Sequence, residues 1–175
     1  MPSAEPAPAF APEALHAFLG RLEIRPQRCE HAAVMTVEES DRLVPPLPGA
    51  KTKNLFLRDR KGARHFLVTA PARVQVDLAR LGDALGAGRL GFATPERLLR
   101  HLGVAPGAVS LLALANDVAR AVEFVIDRTL WEADAVQAHP LVNTATLVLG
   151  HADLERFLAA TGHAPRVIEI PARAA

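Results

Sequence analysis

A strand–turn–strand unit at residues 52–69 decides what this sequence can fold into. Residues 52–58 and 65–69 read as two strands, joined by Asp59-Arg60-Lys61-Gly62, a run of loop formers that closes a hairpin. Period-two alternation puts Lys51, Lys53 and Leu55 on one face, and Thr52, Asn54 and Phe56 on the other. Helical patterns flank the hairpin. Pro12 suits a first-turn position, and Leu15, Phe18, Leu19 and Leu22 follow at helical spacing as a buried stripe. Such a chain needs a mixed architecture of sheet and helix.

The remaining elements fit that frame. A short strand is expected over 28–34. Thr36 and Glu39 have capping-box spacing for a helix over 37–44, which Pro45, Pro46 and Pro48 end before a turn at Gly49. Val74, Leu78, Leu81 and Leu85 mark a third helical face that stops near Gly86. Thr94-Pro95-Glu96 opens a fourth helix and Gly103 closes it. Strands are expected over 109–115, 121–126 and 144–149. A helix carrying Leu154, Phe157 and Leu158 then runs to Gly162, before a closing strand over 167–170. No repeat and no long linker interrupts the pattern. The reading is one α/β domain of the α+β kind over 10–171, between a disordered Pro/Ala-rich tail over 1–9 and a C-terminal tail over 172–175.

Composition removes several function classes. The chain has 175 residues, half of them hydrophobic, and a net charge of +1, which excludes a disordered polyelectrolyte. Cys29 is the single cysteine, so a disulfide scaffold is excluded and the thiol reads as a small core hydrophobe. No apolar run reaches membrane-span length, and the N-terminus lacks the basic and apolar regions of an export signal. A cytoplasmic protein without a membrane partner is expected. The basic residues are unevenly divided. Lys51, Lys53 and Lys61 are the only lysines among 20 Lys and Arg. Between Lys51 and Arg64 six basic residues (Lys51, Lys53, Arg58, Arg60, Lys61, Arg64) meet one acid, Asp59. That is a site for a polyanion, or else a basic hairpin tip without a ligand.

Standard catalytic signatures are missing: no Gly-rich phosphate loop, no GxSxG and no HExxH occurs. His139, His151 and His163 are spaced too widely for a local metal site, so neither metal nor cofactor is expected. The segment Ala138-His139-Pro140-Leu141-Val142-Asn143-Thr144 is a loop that presents an imidazole and backbone N–H groups to a substrate, or a turn that His139 merely satisfies. Asn116-Asp117 reads as a plain turn between two strands, or else as a pair that lines a pocket.

Taken in order, Pro48-Gly49-Ala50-Lys51-Thr52-Lys53-Asn54-Leu55-Phe56-Leu57-Arg58-Asp59, Asn116-Asp117 and His139-Pro140-Leu141-Val142-Asn143 resemble the YbaK/prolyl-tRNA editing family. The KNLFL stretch points to its freestanding alanyl-tRNA(Pro) deacylase branch, similar to the editing insertion domain of bacterial prolyl-tRNA synthetase. The resemblance implies a curved, barrel-like mixed sheet flanked by helices, and hydrolysis of a wrong amino acid from tRNA. It implies a catalytic lysine at Lys53 and a substrate loop at Ala138, His139 and Pro140. The family's loop is GxxxP, whereas this chain has Val136 four residues before Pro140.

An aminoacyl ester is already activated, so the protein has to position water, stabilise an oxyanion and hold the terminal adenosine. Lys53 is the first candidate, as a point charge for phosphate or ribose or as a group in proton transfer. His139 is the second, toward the substrate amine, its carbonyl or the attacking water. Asn54, Asn143 and Lys51 are candidates for binding the substrate. Val34 and Leu47, with Val37 and Val44, are candidates for limiting its size. Arg58, Arg60, Lys61 and Arg64 are candidates for the acceptor end of tRNA(Pro), with prolyl-tRNA synthetase a further partner and DNA not one. A deacylase for cysteine or serine, or a non-catalytic tRNA- or synthetase-binding module, are the competing readings.

Overall fold

The computed structural model describes residues 11–174. The tail expected over 1–9 lies outside them. In chain order the elements are α1 (Pro12–Arg21), β1 (Gln27–Glu30), α2 (Val37–Leu43), β2 (Thr52–Asp59), β3 (His65–Pro71), α3 (Leu78–Leu85), β4 (Leu90–Phe92) and α4 (Pro95–Leu102). A 3₁₀ helix (Leu111–Asn116) leads to β5 (Val122–Asp127), α5 (Arg128–Trp131), β6 (Ala135–Ala138), β7 (Ala145–Gly150), α6 (His151–Thr161) and β8 (Arg166–Ile168).

The strands form two sheets rather than one barrel-like sheet. Five strands lie in the order β4-β2-β3-β5-β8, with the β2–β3 hairpin antiparallel and β3, β5 and β8 parallel. Three more lie in the order β1-β7-β6, all antiparallel. A parallel bridge between Ala50 and Val136 joins the small sheet to the strand entering β2. Nothing closes the circle, so the expected barrel-like curvature resolves into two sheets hinged at that bridge.

Alternation along the large sheet separates two apolar layers. Phe56, Leu67, Phe124 and Ile126 point into one cluster, with Leu15, Leu19, Leu102, Leu112 and Phe157 from the helices. Leu57, Phe66, Val68 and Val125 point into the other, closed by Leu81 and Leu85 of α3 and by Ile170. Both faces of the sheet are covered, which is why β3 is a continuous buried run. Gly82 of α3 is required by this packing: a Cβ there would lie 1.9 Å from the Gly88 carbonyl oxygen.

Local signals set most boundaries. Thr36 caps α2 through the Glu39 N–H at 3.1 Å, and the Glu39 carboxylate accepts from the Met35 N–H. Thr94 caps α4 and Gly103 ends it in the left-handed conformation. Four expectations fail. Residues 109–115 are not a strand; Ser110 caps a buried 3₁₀ helix. The strand expected over 28–34 ends at Glu30, so Val34 lies in the following loop. Cys29 is half-buried on the edge strand β1 rather than in the core. The stretch expected as a tail from 172 is anchored at its start, where Ala172 bridges Val76 and the Arg173 N–H donates to the Gln75 carbonyl. Among the described residues no helix is long and apolar enough to cross a membrane.

Candidate functional site

A cavity of about 270 Å³ opens where the two sheets part. Lys51, Thr52, Lys53 and Asn54 at the start of β2 form one wall. Gln137, Ala138, His139 and Thr146 of the small sheet form the opposite one. Val34, Met35, Thr36, Val37 and Ser40 close a third side, and Gly107 and Val109 a fourth. The Thr52 hydroxyl donates to the Gln137 carbonyl at 2.7 Å and ties the two main walls together. The Gln137 amide donates to the carbonyls of Leu47, Pro48 and Gly49 at 3.2 to 3.3 Å, fastening the proline-rich loop behind β6.

The two lysines of the cavity differ in kind. Lys51 Nζ sits 2.6 Å from Asp41 of α2, whose other carboxylate oxygen takes Arg73 at 2.6 Å. The hydrogen bond from Lys51 is the largest influence holding the Asp41 carboxyl below its usual range. Lys53 has no hydrogen bond or ion pair with another described residue, and its half-buried position pushes its pKa below 10.5. Asn54 accepts the hydroxyl proton of the fully buried Thr69 at 2.6 Å, so its amide N–H groups remain the uncommitted donors.

On the facing wall, His139 Nδ1 lies 2.8 Å from the Ala145 carbonyl oxygen. A carbonyl only accepts, so in the neutral ring Nδ1 carries the proton and Nε2 keeps its lone pair. Burial is the main cause of a His139 pKa below 6.5, which keeps the ring neutral at pH 7. Ala138 ends β6 and lines the cavity; Pro140 is buried behind it. Val136, where the family's loop has glycine, is core strand paired with Leu149, so the loop begins only after Ala138. Leu141 turns it with a φ of 66°, an unusual conformation for a bulky residue.

Met35 is 64% exposed, yet its end is held on two sides. Asn143 Nδ2 donates to its sulfur at 3.2 Å. A Cβ at Gly107 would stand 2.8 Å from its terminal methyl, so the side chain occupies room that only glycine leaves, at a φ of 91°. Of the four apolar residues expected to limit the cavity, Val34 and Val37 line it, while Val44 and Leu47 do not.

The basic hairpin stands apart. Six residues of extended strand separate Lys53 from Asp59, roughly 20 Å. Arg60 and Lys61 are exposed at the turn. Arg58 is half-buried beside Gly91 and donates to the Asp59 carbonyl. Arg64 is committed elsewhere: its guanidinium grips Glu123 at 2.8 and 2.9 Å, reaches the Gly86 carbonyl and lies over the Phe66 ring. The excess of basic residues along the segment is therefore reduced at Lys51 and Arg64 by acids distant in sequence. Asp117 is no plain turn residue but a buried carboxylate bonded to His163 Nε2 at 2.8 Å.

The aminoacyl-tRNA editing domain model matches residues 31–157, and the chain belongs to that family. Its relatives are narrower in kind. The chain is 39% identical over 160 residues to the prolyl-tRNA editing protein ProX of Acetoanaerobium sticklandii, covering 91% of this chain and 98% of that one. It is 41% identical over 164 residues to the prolyl-tRNA synthetase associated domain-containing protein 1 of Danio rerio, covering 93% and 89%. A crystal structure described as that of a candidate trans-editing enzyme for prolyl tRNA synthetase superposes with a TM-score of 0.66 at 22% identity, covering 94% of this chain and 99% of that one.

Reading the sequence missed Thr146, His31, Met35 and Gly107. A threonine inside the apolar run Ala145-Thr146-Leu147-Val148-Leu149 was the one available signal.

Proposed function

We propose that this chain is a trans-editing deacylase that hydrolyses Ala-tRNA(Pro) to alanine and tRNA(Pro). The carrying observation is the pairing of a half-buried Lys53, without a side-chain partner among the described residues, with a bare His139 Nε2 across a small cavity. The kinship with a prolyl-tRNA editing protein supports the tRNA. In this reading the ester enters with its terminal adenosine toward β2. Lys53 meets the terminal phosphate or the developing oxyanion as a point charge. His139 Nε2 accepts a hydrogen bond from the attacking water or the substrate amine, while Nδ1 stays anchored to Ala145. Asn54 donates to the ester or the ribose. Arg58, Arg60 and Lys61 at the hairpin meet acceptor-stem phosphates about 20 Å away. Prolyl-tRNA synthetase, which makes the mischarged product, is the partner that this substrate implies, and the cytoplasm the compartment.

The test is a deacylation panel with alanyl, seryl, cysteinyl and prolyl esters of tRNA(Pro). Alanine release well above the spontaneous rate, with the prolyl ester spared, is the expected result. Preferential release of serine or cysteine would move the specificity, and no acceleration of any ester would end the reading.

Size selection gives a second expected outcome. Met35 and Gly107 make a wall from a side chain that Asn143 and the room at Gly107 hold in place. Met35→Ala opens it, and the ratio of prolyl to alanyl hydrolysis is expected to rise about tenfold, because one methylene of fit is worth about 1 to 3 kcal/mol. An unchanged ratio would remove Met35 from the size limit.

A further inference from the structure

The small sheet carries a polar arrangement that neither the family match nor the sequence motifs assign. Strand β7 lies between β1 and β6, and both neighbours send a histidine to its first residues. From the β1 side, the His31 N–H donates to the Thr144 carbonyl at 2.9 Å. Its imidazole Nδ1 lies 2.8 Å from the Ala32 carbonyl oxygen, and Nε2 lies 2.9 Å from Thr146 Oγ1. From the β6 side, His139 bonds the Ala145 carbonyl. The two rings stand 6.2 Å apart.

Proton accounting gives this arrangement a direction. The Ala32 carbonyl can only accept, so the neutral His31 ring carries its proton on Nδ1. Its Nε2 must then accept, and the proton it accepts is the Thr146 hydroxyl's. Thr146 is 5% exposed and lines the cavity with its hydroxyl proton already committed. What remains on Oγ1 is acceptor capacity only. His139 Nε2 is an acceptor for the same reason. The β6–β7 wall thus presents two acceptors, while Lys53 and Asn54 on the β2 wall present donors. Among the described residues no carboxylate lines the cavity.

We infer that Thr146 Oγ1 and His139 Nε2 form a subsite for the α-amino group of the aminoacyl ester, with His31 as the positioning residue that keeps Thr146 an acceptor. The inference rests on the deacylase reading for its substrate class. An aminoacyl ester offers donors at its amine and an acceptor at its carbonyl, and between these two walls the polarity matches it with the amine toward β7 and the carbonyl toward β2. A hydroxy-acid ester, with hydroxyl in place of amine, loses the better part of that match.

The experiment compares alanyl- and lactyl-tRNA(Pro) on wild type, Thr146→Val, Thr146→Ser and His31→Phe. Wild type is expected to favour the alanyl ester. Thr146→Val, which keeps shape and removes the acceptor, is expected to lower kcat/KM for the alanyl ester about 10- to 100-fold, the scale of a hydrogen bond to a charged group, and the lactyl ester much less. Thr146→Ser restores the preference, and His31→Phe lowers it in part. Equal losses on both esters, or no loss, would overturn the subsite. The same variants are titrated calorimetrically with 3′-alanylamido-adenosine and its propionyl counterpart, which lacks the amine. Amine-selective binding that Thr146→Val abolishes upholds the subsite even if wild type hydrolyses nothing, an outcome that would sink the deacylase reading alone. Amine selectivity that survives Thr146→Val sinks the subsite whatever the hydrolysis shows.

Discussion

Lys53→Ala is expected to lower kcat/KM for alanine release from Ala-tRNA(Pro) by about 100- to 1,000-fold, the scale of losing one preorganised donor to a developing charge. Lys51→Ala is expected to cost under about tenfold, since the Lys51 ammonium already answers Asp41 at 2.6 Å. The difference follows from what each lysine leaves unspent. Lys53 has partial burial and no counterion among the described residues, and burial alone drives its pKa down from 10.5. An incoming phosphate or oxyanion supplies the missing partner. Lys53→Arg should rescue poorly, because a guanidinium is broader and its charge is spread over a plane. The pH profile separates the two roles open to this residue. If the ammonium is the working form, activity falls as pH rises through the lowered Lys53 pKa; if the free amine is a base, activity rises there. Wild-type kcat/KM corrected for spontaneous ester loss reads the direction. Equal effects of Lys51→Ala and Lys53→Ala would refute the distinction.

Where sequence reading succeeded, the signal was local. The hairpin, the Thr36 and Thr94 caps and the stops at Gly86, Gly103 and Gly162 each depend on a few adjacent residues. Residues 109–115 failed because a continuous apolar run has the same pattern in a buried strand and a buried helical turn. Ser110, whose hydroxyl takes the Leu112 N–H, decides for the helix. The candidate site divides the same way. Lys53 and His139 stand in recognisable stretches. Their partners do not, because His31 meets Thr146 through the β1–β7 register, which pairs Cys29 with Thr146, and Met35 meets Gly107 and Asn143 through loops. Charge was the least legible property. Asp41 cancels Lys51 from ten residues away, and Glu123 cancels Arg64 from fifty-nine.

Asp117→Ala is expected to destabilise the fold by about 3 to 5 kcal/mol, since each buried donor left without its acceptor costs about 1 to 3 kcal/mol. For a domain of this size that lowers Tm by roughly 10 °C. The carboxylate is 4% exposed and bonds three groups: His163 Nε2 at 2.8 Å, the Val122 N–H at 2.8 Å and the Ala121 N–H at 3.0 Å. It thus fixes the start of β5 to the end of α6, and alanine strands all three donors in the core. Asp117→Asn keeps one acceptor oxygen and should cost less. Acid titration adds a signature. Burial raises the Asp117 pKa, but the bonds from His163, Val122 and Ala121 outweigh it and hold it below 3.8. A depressed carboxyl pKa gives stability that is present above the unfolded value and lost as pH falls through the folded one. His65 acts earlier. Burial, then the charges of His101 and Arg97, bring its pKa down to about 4, so the unfolded chain binds the extra proton between about 6.5 and 4 and stability declines across that window. Wild-type Tm should therefore drop in two stages, a first between about pH 6.5 and 4 and a second below it. Asp117→Asn should flatten only the second stage, and a Tm curve flattened equally in both would show that the carboxylate is not the group lost last.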